Sequence, residues 1–136
     1  MDEENLQEFG LSYTAAWCSS DPTRVAEHYA PEGSLTINGG EPAVGRTAIA
    51  DAARAFMVAF PDLGLTMDDL RVQPGTITYH WTFTGTNTGP DGTGNNVRFS
   101  GFEEWSFGSD ELIARSLGTF DQAEYDRQLE LADTTD

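Results

Sequence analysis

Leu6, Phe9, Tyr13 and Trp17 recur at three- and four-residue steps, a stripe that predicts a helix of about four turns with one buried face. Asp21-Pro22 restarts a helix, with the aspartate as cap and the proline at its first position, and Val25, Ala26 and Tyr29 turned inward. A brief extended piece over 34–38 ends at Gly39-Gly40. After Gly45 a third helix gathers Ile49, Ala52, Ala53, Phe56 and Phe60 on one side. It stops at Phe60-Pro61-Asp62, because the residue before a proline is pushed out of helical dihedrals.

From there to about residue 120 the period changes to two. Leu63, Leu65 and Met67 alternate, and Gln73-Pro-Gly-Thr76 has proline and glycine in type II turn order. Ile77, Tyr79, Trp81 and Phe83 then share one strand face, with Thr78, His80, Thr82 and Thr84 on the other. A glycine-rich reversal over 88–96 leads into a partner strand with Phe99, Gly101, Glu103, Trp105 and Phe107 in phase. The two runs read as a long hairpin whose ring-lined inner face walls an apolar pocket. A last strand places Leu112, Ala114, Ser116, Gly118 and Phe120 in register, and Asp121 to Glu124 has the spacing of a capping box opening a short terminal helix.

Helices first and antiparallel strands after predict an α+β architecture, a curved sheet wrapped around helices on one side. No repeat or linker divides the 136 residues, so one domain over 1–136 is expected, large enough for a single core. No apolar run approaches the roughly 20 residues of a membrane span. Met1-Asp-Glu-Glu lacks the basic start of a secretory signal, so a cytoplasmic location is expected. Cys18, the one cysteine, sits among apolar helix positions and is expected to be a buried, inert thiol.

Charge changes the picture more than length does. There are 23 acidic residues and 7 basic ones, all arginine, for a net charge of −16. Such a body repels itself unless salt screens it, which points to a halophilic, salt-adapted source. The acidic residues are scattered, as on a solvated surface, and nucleic acid or anionic membrane would be repelled as a partner.

The order of pieces resembles the SnoaL-like polyketide cyclase family of the nuclear transport factor 2 (NTF2-like) superfamily. Tyr29-Ala-Pro-Glu-Gly33, Phe60-Pro-Asp62, Trp81-Thr-Phe-Thr-Gly-Thr-Asn-Thr-Gly89, Val97-Arg-Phe-Ser-Gly101 and the stretch 113–121 carry the resemblance. It implies a conical, mostly antiparallel sheet, an apolar pocket between sheet and helices, and commonly a homodimer through the sheet's outer face. The cyclases perform acid–base work with a histidine and an aspartate; the first aligns with Glu103 or a neighbour and the second with Gly118. The histidine often found after Gly-Thr is Asn87 here. In the related ketosteroid isomerases a tyrosine and a protonated acid hold an oxyanion, at the positions of Tyr13 and Glu103. The base of that branch aligns with Ile37 or Asn38, which accept no proton.

Glu103 is the sharpest candidate on its residues alone, a carboxyl among rings whose pKa desolvation would raise; a one-residue slip would turn it to solvent. Tyr13 is the candidate oxyanion donor, or else a core tyrosine with a satisfied hydroxyl. Trp17, Phe56, Trp81, Phe83, Phe99, Ser116 and Phe120 are the candidate substrate-binding wall. Gly101, Ser116 and Gly118 subtract volume on facing strands and favour an opening. His80 falls on the outer face and His28 is expected to be solvated. Neither has a companion at ligand spacing, so no metal and no cofactor is expected. Asp121 reads as a helix cap. Two functions follow: cofactor-independent cyclisation or isomerisation of a small apolar carbonyl compound, or non-catalytic binding or dimerisation on the same scaffold. An epoxide hydrolase would need an Asp–Arg–Asp relay, and no inward triad of that kind is visible.

Overall fold

The computed structural model describes residues 2–130, folded as an α+β unit with a six-stranded, curved, unclosed sheet. Helix α1 spans Glu3–Cys18. Asp2 caps it by accepting from the Asn5 N–H at 2.8 Å, and Glu3 and Glu4 favour the positive end of its dipole. Its inner face carries Leu6, Gly10, Tyr13, Thr14, Ala16 and Trp17. Helix α2, Pro22–Ala26, is capped by Asp21, and Tyr29 lies beyond it as the first residue of strand β1, Tyr29–Ile37.

β1 is longer than the expected 34–38 piece because its first half carries no clean alternation. Pro31 has no N–H to offer, and a Cβ at Gly33 would lie 2.7 Å from the Ile113 carbonyl oxygen, so the register shifts between Tyr29 and Ser34. The two-residue β2, Ala43–Val44, is too short to leave a periodic signal. Gly45, at φ +90°, turns the chain into helix α3, Arg46–Ala59, which buries Ile49, Ala53 and Met57 and leaves Phe56 half-buried.

Strands β3 (Gly64–Gln73), β4 (Thr76–Thr86), β5 (Asn96–Phe107) and β6 (Ile113–Phe120) complete the sheet in the order β2-β1-β6-β5-β4-β3. Only the β1–β6 pairing is parallel. Gly75, at φ +79°, supplies the left-handed residue that a type II turn requires. The expected phase of β6 holds at Ser116, Gly118 and Phe120 but fails at its start. An irregularity opposite Ser106 and Phe107 turns Ile113 fully inward and leaves Ala114 exposed, where Leu112 and Ala114 were expected inside.

α1 and α3 lie over the concave face. Tyr13 meets Trp105 edge-on at 5.2 Å, Trp17 meets Phe56 at 6.2 Å, and Phe56 meets Phe83 at 6.0 Å. Helix α4, Gln122–Glu130, is capped by the Asp121 carboxylate, which accepts from the Glu124 N–H at 3.1 Å, as its spacing predicts. Its Tyr125 packs on Phe60, Phe99 and Phe120. Two further side chains differ from expectation. Cys18 is exposed at the last turn of α1, with Sγ against the Leu65 backbone, because it falls just off the apolar stripe. His28 is half-buried: its Nδ1 donates to the Arg24 carbonyl at 2.8 Å, and its Nε2 is hydrogen-bonded with the Ser12 hydroxyl at 2.9 Å. No helix among the described residues is long and apolar enough to cross a membrane.

Candidate functional site

The β4–β5–β6 register decides where the carboxyl of Glu103 goes. Glu103 pairs with Tyr79 on one side and Gly118 on the other, and its side chain rises toward the helices, 8% exposed. The Oε1 atom receives three donors: Ser116 Oγ–H at 2.8 Å, Trp105 Nε1–H at 2.9 Å and the Tyr13 hydroxyl at 3.0 Å. Among the described residues the Oε2 atom has only the longer arm of that same hydroxyl, at 3.3 Å. One oxygen is anchored and the other is lightly held.

The proton directions around this carboxyl are fixed by counting donors. Tyr13 has a single O–H and gives it to Glu103, so the Tyr29 hydroxyl, 2.9 Å from it, must donate to Tyr13. Tyr79 does not join the set. Thr14 spends its own proton on the Gly10 carbonyl, so it accepts from the Tyr79 hydroxyl. Trp105 stacks on Tyr79 at 4.7 Å, which holds its indole edge toward Oε1.

Burial pushes the Glu103 pKa above its ordinary value, and the hydrogen bonds from Trp105, Ser116 and Tyr13, which favour the carboxylate, oppose that rise without cancelling it. The Tyr13 and Tyr29 hydroxyls are pushed well up, first by burial and then by the nearby Glu103 charge, so both remain protonated donors.

Beside Glu103 a cavity of about 50 Å³ opens between the sheet and α1 and α3. A water needs roughly 10–15 Å³ of such space, so it takes a few waters or one end of a small organic molecule. Trp17, Phe56, Trp81, Phe83, Phe99 and Phe120 line it, as the hairpin and helix patterns suggest, together with Leu35, Ile37 and Leu65. Among the described residues Glu103 is the one titratable group on this wall, and Gly118 leaves the space above β6 open.

Not every residue singled out from sequence comes to the cavity. Ser116 is fully buried behind Glu103 and Tyr13 is fully buried behind it as well, both turned to the carboxyl rather than to the wall. Trp105 is a partner that the sequence pattern places on the same face as Glu103 without assigning it to the site, and its i+2 spacing on that strand is the signal. Asn38, at the aligned base position, accepts from the Phe120 N–H at 2.8 Å and donates to Gln122 at 3.1 Å, ordering the β6–α4 corner. Asn87 donates to the Ala59 carbonyl and accepts from Thr93, holding the hairpin loop. His80 lies on the outer face against Phe102.

A family model described as SnoaL-like polyketide cyclase matches residues 8–129. No curated protein matches the chain. Among solved structures, TsrD from Streptomyces laurentii is similar at 24% identity and a TM-score of 0.81, covering 95% of this chain and 97% of its own. A protein with a ketosteroid isomerase-like fold from Catenulispora acidiphila, solved in complex with trimethylamine, is similar at 17% identity and a TM-score of 0.80 over 95% and 98% of the two chains. The epoxide hydrolase/cyclase-like enzyme SalBIII, of pyran ring formation in the polyether salinomycin, is similar at 13% identity and a TM-score of 0.76 over 90% and 95%. At these identities the likeness is one of fold.

Proposed function

Because the chain belongs to the SnoaL-like polyketide cyclase family, we propose that it binds a small apolar carbonyl compound in the cavity and moves a proton on it through Glu103, without a cofactor. The observation that carries this reading is the asymmetry of the Glu103 carboxyl, with three donors on Oε1 and one longer hydrogen bond on Oε2, in a residue that lines an apolar space.

The division of labour follows from that asymmetry. The anchored oxygen fixes the plane of the carboxyl, and the other oxygen exchanges a proton with the ligand. As carboxylate, Oε2 takes a proton from the carbon next to the carbonyl; as acid, it returns the proton to a carbon or lends it to the enolate oxygen. Burial raises the Glu103 pKa, which favours the acid form that returns the proton. General acid–base help of this kind is worth about 10²–10⁴ in rate.

In this reading Tyr13 is a positioning residue, its proton committed to Glu103, rather than a donor to the ligand. With one titratable group on the wall, the same carboxyl must take and give back the proton, which suits a 1,3-shift or an enolate-driven ring closure. That same count also favours the second reading, a ligand-binding module that performs no chemistry.

The two readings separate in the pH dependence of binding. An enol analogue such as a phenol should bind the wild type with an affinity that changes as Glu103 titrates, and Glu103→Gln should flatten the profile. A wild-type profile already flat across that titration removes the proton-transfer reading and leaves the binding module.

A further inference from the structure

Among the described residues, no basic side chain supplies a countercharge to the buried Glu103 carboxyl. The three ion pairs found there lie elsewhere, on Asp51, Asp69 and Glu124. Of the basic groups around its partners Tyr13 and Tyr29, His28 stands edge-on to Tyr13 at 5.7 Å with its ring nitrogens on the Arg24 carbonyl and the Ser12 hydroxyl, and Arg46 donates to the Tyr29 carbonyl. The titratable groups that do face the carboxyl are the hydroxyls of Tyr13, Tyr29 and Tyr79, each kept protonated first by burial. Buried charges in folded proteins are paired. Here three donors converge on Oε1, an arrangement that favours the ionised form, and the positive partner is missing.

The space beside this carboxyl is enclosed by rings. Trp17 is turned against Phe56 by 70°, Phe56 against Phe83 by 61°, and Trp81 against Phe99 by 84° and Phe120 by 67°, so the wall presents ring surface in several orientations. Aromatic rings attract a cation, most strongly where water is excluded. The volume of about 50 Å³ has room for roughly three to five water-sized atoms, the bulk of a trimethylated nitrogen. A net charge of −16 draws cations and repels anions.

Other cations fit this wall poorly. A hard metal ion takes about six or more oxygen ligands, and no cluster of metal-ligating side chains occurs among the described residues. A primary ammonium brings N–H donors that need acceptors, and the side chains of the wall offer none besides Glu103. Methyl groups on the nitrogen need no acceptor. We infer that the cavity is a site for a small methyl-substituted ammonium group, with the Glu103 carboxylate as its countercharge and the surrounding rings as its cage. The inference rests on the second reading above, the binding module, and not on proton transfer by Glu103.

Tetramethylammonium and tert-butanol, alike in shape and different in charge, are the probes, with the methyl resonances of Leu35 and Leu65 reporting occupancy at constant ionic strength. Above the Glu103 titration, tetramethylammonium should bind more tightly than tert-butanol by about 10-fold or more, and Glu103→Gln should erase that preference. Trp81→Leu should lower it by about 3-fold or more. A readout that needs no variant is the ¹³C titration of the Glu103 carboxyl in the wild type. Tetramethylammonium should lower its midpoint, because the cation favours the carboxylate, and tert-butanol should not. Equal affinity for the two probes, a preference for tert-butanol, or a midpoint unmoved by bound tetramethylammonium would overturn the inference and leave the cavity a binding site. If neither probe moves the Leu35 and Leu65 methyl groups but phenol does, the inference falls and the binding reading stands; if phenol also leaves them unmoved, both fall.

Discussion

Glu103 on β5 and Gly118 on β6 face each other, and a Cβ at Gly118 would sit 3.6 Å from the Glu103 Cγ, an ordinary van der Waals distance. At Gly101, on the same inner face, a Cβ would lie 2.4 Å from the Thr119 carbonyl oxygen and 2.6 Å from Trp81 Cζ2. The two glycines therefore differ in purpose. Gly118→Ala should change stability by less than about 1 kcal/mol while weakening ligand binding, because the methyl enters the cavity. Gly101→Ala should destabilise by about 1–3 kcal/mol, because backbone and indole must both shift. Denaturant unfolding of the two variants checks the contrast, and equal losses would contradict it.

Tyr13→Phe removes the donor shared by both Glu103 oxygens and strands the Tyr29 hydroxyl. A loss of about 1–3 kcal/mol is expected, together with a further rise in the Glu103 pKa, since that hydrogen bond favours the carboxylate. Tyr79→Phe, whose hydroxyl goes to Thr14, should destabilise without the same rise. Unfolding curves combined with carboxyl titration separate the two.

The pH dependence of stability has opposite signs in the interior and on the surface. Glu103 has its folded pKa raised by burial, so its contribution is greatest below the ordinary glutamate range and is lost as pH rises through the folded value. Asp62, lowered by the Thr86 backbone N–H and hydroxyl, and Glu124, lowered to about 2 by Arg127 and Gln128, contribute above the ordinary range and lose that as pH falls. Comparing wild type with Glu103→Gln isolates the interior term. The variant should gain on the wild type as pH rises from about 4 and level off above the Glu103 pKa. Parallel curves would show that the carboxyl titrates as it does in the unfolded chain.

The net charge of −16 is met by three ion pairs among the described residues, Arg54–Asp51, Arg71–Asp69 and Arg127–Glu124, all largely exposed. Such pairs contribute little, so screening should relieve more repulsion than it weakens attraction. The melting temperature is expected to rise between low and molar potassium chloride. No gain, or a fall, would count against salt adaptation.

How far the sequence reached is clearest at particular residues. Alternation placed Tyr79, Trp81, Phe83, Phe99, Glu103 and Trp105 on one face because β4 and β5 pair without a break, so a period of two survives from end to end. The same reading failed at Leu112 and Ala114, where an irregularity in β6 resets the phase, and bulges leave no periodic trace. Asp21, Asp121 and Gly75 were legible since caps and type II turns demand those residue types locally. Cys18 and His28 were misread because burial at a helix end and beside a neighbouring helix is set by packing. The bonds to Glu103 from Tyr13 and Ser116 cross 90 and 13 residues, distances over which no local pattern carries information.

The proton transfer proposed for the cavity depends on Glu103 being a buried carboxyl with one oxygen able to exchange a proton with a ligand there. Its most direct test is the ¹³C chemical shift of the Glu103 carboxyl followed against pH, with and without a phenol as enol analogue. A midpoint above the ordinary glutamate range that moves when the phenol binds is expected. A midpoint at the ordinary value, unchanged by the phenol, would contradict it.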